Sequence, residues 1–212
     1  YCKGHPWARF GIDLCIGSEA DQPITQRQMM FAPFYLMDAF DGAQIKGDSI
    51  QRPLITANEL IVDATPEPDE SDWMPTPLQC SLLLFILTAA ATIYGIRRRT
   101  GLWGIDLFLF GIAGIVGCVL AFLALFSQHP AVSSNFLLLV FHPGQLLFLP
   151  YIIYCVRKGK KCWYLTLNLA VLTLFIVLFP VIPQRFDFAV VPLALVLLIR
   201  SASNLIVTSK KK

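Results

Sequence analysis

Five side chains in this sequence combine a reactive or hydrogen-bonding group with a setting at or within an apolar run. His129 stands beside Pro130 in a short polar stretch between two such runs. An imidazole titrates near neutral pH, so it can act as a general base or hold a phosphate. The same ring can also do no more than fix a turn. Asn135 opens the next run, either as a helix cap or as a hydrogen-bonding group for a substrate. Further in, Phe141-His142-Pro143-Gly144-Gln145 places an imidazole and an amide three residues apart, on one helix face. Ionisable groups inside a bilayer are functional candidates by default, and both groups also suit carbonyls freed by the proline. Asp13, in Gly11-Ile12-Asp13-Leu14, is a carboxylate that either orients a catalytic group or caps and bridges locally. His129 and Asp13 are therefore the candidate catalytic residues. Asn135, His142 and Gln145 are the candidate substrate-binding residues.

Other chemistries have no foothold. No nucleophile elbow, phosphate loop, dinucleotide fingerprint or zinc-protease motif is present. The six cysteines are Cys2, Cys15, Cys80, Cys118, Cys155 and Cys162, and no pair has redox or metal-ligand spacing. The three histidines, His5, His129 and His142, are not near them in sequence, so neither a metal site nor a cofactor is expected. Four of the cysteines lie in or at the ends of apolar runs, where a thiol serves as a small filler. Cys2 and Cys15 share the polar N-terminal part and could pair.

The elements that must position these residues follow from composition. Of 212 residues, 56% are hydrophobic and only 15% charged, against roughly a quarter charged in soluble domains. Mean hydropathy is +0.62. A water-soluble globule is excluded, and so is disorder, which needs few apolar and many charged residues. Residues 1–77 hold twelve acidic and five basic side chains, while residues 78–212 hold twelve basic and two acidic ones. The basic excess reads as membrane topology, with no nucleic-acid partner. A bilayer core about 30 Å thick takes roughly 20 apolar residues as a helix. Five segments qualify: 78–96, 102–126, 136–156, 162–182 and 188–207. Ten basic residues (Arg97–Arg99, Arg157, Lys158, Lys160, Lys161, Lys210–Lys212) follow spans one, three and five, against Arg185 alone in the other two loops. That asymmetry puts the C-terminus in the cytoplasm and the acidic head on the opposite side.

Within the spans, Arg200 and Asn204 share a face, and Arg200 is close enough to the inner end to snorkel. Asp106 could pair with Arg200 or with Arg97–Arg99. Asn168 reads as interhelical glue, and Gly111, Gly114 and Gly117 as a stripe for close helix approach. The expected fold class is mainly α: a polytopic membrane protein with five transmembrane helices and a small N-terminal extracytoplasmic α+β segment. Residues 1–64 form that segment, 65–77 an acidic linker, 78–207 the membrane domain and 208–212 a basic tail. In the head, Pro6 opens a short helix that stops at Gly17. Thr25 and Gln28 form a capping box for a helix from Gln26 to about Gln44, interrupted or kinked at Pro33. Met29, Met30, Phe34, Met37 and Phe40 could share one of its faces. Gly47-Asp48 marks a turn. Pro53–Thr56 and Glu59–Asp63 read as strands around Ala57-Asn58.

The head also carries a distinctive order of motifs. Pro6-Trp7, Gly11-Ile12-Asp13-Leu14, Gly17, Asp21 and Phe31-Ala32-Pro33-Phe34-Tyr35-Leu36 follow one another. This order resembles the end of the periplasmic domain of the Lnb-type lipoprotein N-acyltransferase family, which also carries five membrane helices. The family's first outer loop is similar to Ser127-Gln128-His129-Pro130 with Asn135. Its third span carries an Asn-Pro or similar dipeptide where this chain has His142-Pro143. The resemblance implies acyl transfer onto the N-terminal amine of a diacylated lipoprotein, in the inner membrane of a Gram-negative envelope. The partners so implied are membrane phospholipid, the lipoprotein substrate and an upstream periplasmic domain. The first residue is Tyr1 and no signal peptide opens the chain, so a fragment is expected; the resemblance implies that the nucleophile lies upstream. A non-catalytic membrane anchor and interaction module is the competing reading. A small transporter subunit ranks below both, since only span three is broken and transporters pair such breaks.

Overall fold

The computed structural model describes residues 4–46, 51–59, 61–62 and 74–209. The chain forms two units, Gln22–Ser71 and the remainder, Tyr1–Asp21 with Asp72–Lys212. In the smaller unit, the Thr25 side chain accepts the Gln28 N–H at 3.3 Å while the Gln28 amide oxygen accepts the Thr25 N–H at 2.8 Å. This capping box starts α2 (Gln26–Met29). The helix does not run through to Gln44. Ala32 is extended, as the residue before proline prefers, and Pro33 opens a separate helix, α3 (Pro33–Asp41). The expected Met and Phe face does not form a core: Phe34, Met37 and Phe40 stay exposed. The strand pair is also displaced from its expected place. β1 (Gln44–Lys46) pairs antiparallel with β2 (Gln51–Pro53), Ile45 opposite Arg52, and no pairing forms around Ala57-Asn58 among the described residues; the expected turn at Gly47-Asp48 lies outside them. The Asn58 amide instead donates to Asp41 at 2.7 Å. Leu60, Asp63 and the acidic stretch 65–72 lie outside the described residues.

The larger unit is a helical bundle preceded by α1 (Pro6–Cys15). Hydropathy and caps set its elements. Thr76 and Gln79 form a second capping box, Pro77 takes the first helical position, and α4 (Pro77–Arg98) follows. Arg97 and Arg98 occupy its last turn, where the helix dipole favours cations. α5 (Trp103–Phe126) comes next. Span three is broken: a 3₁₀ turn over Phe136–Leu139, then α6 (Pro143–Leu147) and α7 (Leu149–Lys158). Taken as Phe136–Leu147 and Leu149–Lys158, its two halves meet at 74°. Pro143 denies the helix a donor and separates the 3₁₀ turn from α6, as expected, whereas the 74° bend falls at Phe148, beside Pro150 in the first turn of α7. α8 (Trp163–Leu178) and α9 (Val190–Ser209) complete the unit. α4 packs along α9, α9 along α8, and α5 along α6 and α7.

Among the described residues, three helices, α4, α5 and α9, are long and apolar enough to cross a membrane, and the bent pair makes a fourth if counted as one span. α8, with 16 residues, is about 24 Å long at 1.5 Å per residue, short of the ~30 Å core. The chain is thus mainly helical and membrane-embedded, with a small strand pair. Close approach of α5 to the broken span depends on bare glycines. A Cβ on Gly117 would collide with the His142 backbone and one on Gly114 with the Leu146 backbone, whereas Gly111 has ordinary room.

One ion pair ties three helices together. The Arg200 Nε donates to Asp106 Oδ1 at 2.7 Å, Nη2 to Oδ2 at 3.0 Å, and Nη1 to the Thr92 hydroxyl at 3.0 Å. Arg200 does not snorkel; it and Asp106 are both buried. The α5 carboxylate and the α9 guanidinium pair, with the α4 hydroxyl as a further acceptor, because neither charge can stay unpaired in hydrocarbon. Asn204, one turn on, accepts the Cys162 N–H at 3.2 Å at the start of α8.

Candidate functional site

Two polar clusters emerge. The first joins the end of α1 to the loops that follow α5 and α8. Asn135 donates from Nδ2 to the Leu14 carbonyl (2.8 Å) and accepts the Leu137 N–H (2.9 Å). Gln184 donates to the Ile16 carbonyl (2.9 Å) and to Asn135 Oδ1 (3.2 Å), and accepts the Phe136 N–H (2.8 Å). The Gly17 N–H reaches the Ala131 carbonyl at 2.8 Å. Gly17 is not the helix stop the sequence suggests. α1 ends at Cys15 with Ile16 extended, and Gly17 is bare because a Cβ would run into the Ser133 carbonyl. Asn135 does cap the 3₁₀ turn as expected, but its amide is spent inside the protein. Gln184 was not foreseen; its one signal is an amide between Pro183 and Arg185 in an otherwise short interspan loop.

His129 is exposed in this region, and its Nδ1 accepts the Ala131 N–H at 3.2 Å. A neutral imidazole has one donor and one acceptor nitrogen. With Nδ1 accepting, the proton sits on Nε2, so the ring offers a donor while its basic lone pair is in use. That suits a phosphate oxygen better than it suits proton abstraction. Asp13 pairs with Arg9 over 3.7 Å. Burial pushes its carboxyl above the usual aspartate range; Arg9 opposes this, and Asp187 and Asp21 add to it. Asp21 in turn accepts the Arg185 N–H at 2.6 Å.

The second cluster lies at the break. Donors and acceptors can be assigned in order. The Ser201 hydroxyl donates to the Leu197 carbonyl (2.8 Å), so its oxygen accepts from Asn168 Nδ2 (3.0 Å). Asn168 Oδ1 therefore faces His142, and His142 Nε2 donates to it at 3.3 Å. His142 Nδ1 is left as the acceptor toward the Tyr164 hydroxyl, at 3.5 Å. Gln145 donates to the Val140 carbonyl at 2.8 Å, which answers the proline's freed backbone as expected. It is fully buried, and its Oε1 has no hydrogen-bond partner among the described residues. The geometry thus gives Gln145 a part in the break. His142 is also deeper than its six residues from Phe136 suggest. Its backbone meets Gly117, nine residues from the end of α5, or roughly 13 Å at 1.5 Å per residue. Asn168 plays the interhelical role expected of it, while sequence alone assigns no role to Ser201 and reads Tyr164 only as one aromatic of an inner interface belt, although it is buried. Both look like ordinary span residues until the helices are packed.

The structure therefore joins His142 with Gln145, and Asn135 with the end of the Asp13 helix, but it does not join all five candidates into one site. Among the described residues no group of acidic, histidine and cysteine side chains is arranged to hold a metal. Cys2 lies outside the described residues, so a pairing with Cys15 is not addressed. A family model described as Lnb transmembrane domain matches residues 69–212. None of the curated proteins and none of the solved structures matches the chain.

Proposed function

Since the chain belongs to the Lnb family through its membrane domain, we propose that it is the membrane part of a lipoprotein N-acyltransferase in a Gram-negative inner membrane. The reaction moves an acyl chain onto the N-terminal amine of a diacylated lipoprotein. The observation that carries the reading is the family match across the bundle, and the head motifs around Asp13 agree with it. The acidic head faces the periplasm and the basic loops the cytoplasm. Phospholipid supplies the acyl chain, and an upstream periplasmic domain supplies the nucleophile. His129, through Nε2–H, contacts a lipid phosphate. Asp13 and Asn135 hold the end of α1 in register with the loop that carries His129. His142 and Asn168 shape the buried break beneath.

The test is mass spectrometry of lipoprotein N-termini from cells with and without the full-length protein. Loss of the N-acyl group on deletion, restored by the wild-type gene, supports the reading; unchanged N-termini refute it. The second reading, a non-catalytic anchor, is favoured by one observation. Both amides at the α1 junction, Asn135 and Gln184, bond within the protein, as expected of a rigid mount. An anchor predicts that a foreign membrane domain can replace residues 77–209 without loss of N-acylation.

A further inference from the structure

Helix α1 presents apolar side chains on two sides, and the bundle uses one of them. Phe10 and Leu14, four residues apart, pack on the buried core. Trp7 and Ile12 remain 45% and 46% exposed, and Ala8 and Gly11 are exposed as well. With 3.6 residues per turn, Trp7, Gly11, Ala8 and Ile12 fall within one arc of roughly 140°. Arg9 borders that arc, its side chain 70% exposed.

The helix is held at both ends. Its C-terminal end is fixed by Asn135, Gln184 and the loop at Ala131, where Gly17 and Ser18 are buried. At its N-terminal end the Trp7 indole N–H donates to the Pro75 carbonyl at 2.9 Å, two residues before α4 begins. A ten-residue helix is about 15 Å long, so α1 runs from the middle of the bundle's end to the rim where α4 enters. The neighbouring walls at that end are exposed and apolar: Leu78, Leu82 and Leu83 on α4, Phe122, Leu125 and Phe126 on α5.

We propose that α1 is an interfacial helix, with its Trp7–Ile12 face seated in the headgroup–acyl boundary of the leaflet where α4 begins. The occupant of this face is the bilayer, because α1 packs against two membrane-length helices, α4 and α5, whose outward walls at that end are apolar and exposed. Its composition fits that boundary. A tryptophan with an apolar body and a bonded N–H belongs at the interface, and an arginine beside it reaches lipid phosphates. Membrane contact by α1 goes beyond the proposed function, since it serves an enzyme and an anchor equally.

The test uses the full-length protein with every tryptophan except Trp7 changed to phenylalanine. It is reconstituted into phosphatidylcholine vesicles brominated close to the carboxyl end of the acyl chains. Trp7 emission should fall severalfold relative to unbrominated vesicles and respond weakly to acrylamide in the water. A nitroxide on Ile12→Cys, in an otherwise natural chain, gives a second reading that needs no tryptophan changes; oxygen should relax it more than a water-soluble nickel complex does. Quenching by acrylamide without a bromolipid effect overturns the proposal in favour of solvent. Protection from both quenchers overturns it in favour of cover by protein.

Discussion

At the scale of single residues, the two candidate catalytic side chains make different predictions. His129 already uses Nδ1 to accept the Ala131 N–H. As a phosphate donor through Nε2, its removal should raise the KM for the phospholipid and leave kcat nearly unchanged. A general base would instead lower kcat by roughly 10²–10⁴-fold. Initial rates of the purified His129→Ala protein at several lipid concentrations separate the two. For Asp13, burial raises the folded-state carboxyl above its value in an unfolded chain, with Arg9 opposing. The folded protein then binds the proton more tightly, so stability falls as pH rises from the ordinary aspartate range, ~4, to the raised one. Asp13→Asn should flatten this decline: its melting temperature in detergent should exceed the wild type's near neutrality and converge with it in acid. Parallel curves for the two proteins would remove Asp13 as the source.

At the scale of helices, the buried pair Arg200–Asp106 holds α9 to α5, and Thr92 adds α4. Removing one partner leaves a buried charge alone, at a cost of about 3–5 kcal/mol. Arg200→Leu should therefore sharply reduce folded protein, and Asp106→Leu in the same chain should restore most of it. Chemical unfolding in mixed micelles measures both. If the double variant is no better than the single one, the pair acts as something more than mutual neutralisation. Local signals set this scale well. Both capping boxes, the proline-opened helices and the break at Pro143 stand where short-range chemistry puts them. The strand pair was misread because the actual strands, Gln44–Lys46 and Gln51–Pro53, are short and mostly polar with no burial pattern: all of β1 and β2 are exposed.

At the scale of the molecule, orientation depends on how many times the chain crosses. Three or four crossings are supported by length and composition, and the broken span and α8 together decide the parity. The basic loops favour five, with Gln128 outside and Thr100 inside. In a cysteine-free background, Gln128→Cys should react with an impermeant maleimide in intact spheroplasts, and Thr100→Cys only after lysis. The reverse pattern would invert the topology. Equal labelling at both sites before lysis would mean that α5 does not cross.

Membrane character, the capped or proline-opened helix starts at Pro6 and Gln26, and the break at Pro143 could be read from the chain alone, because each depends on hydropathy or on contacts within a few residues. The partners of the polar side chains could be named only as options. Asp106 had several basic candidates, and packing chose Arg200, 94 positions away. Gln184 carried almost no signal, yet it bonds Ile16 across 168 positions. Hydropathy is a property of each segment and says nothing about which faces meet. Once α5 lies against the broken span and α1 across the bundle's end, those faces are fixed, and with them the role each buried amide, charge and imidazole can play.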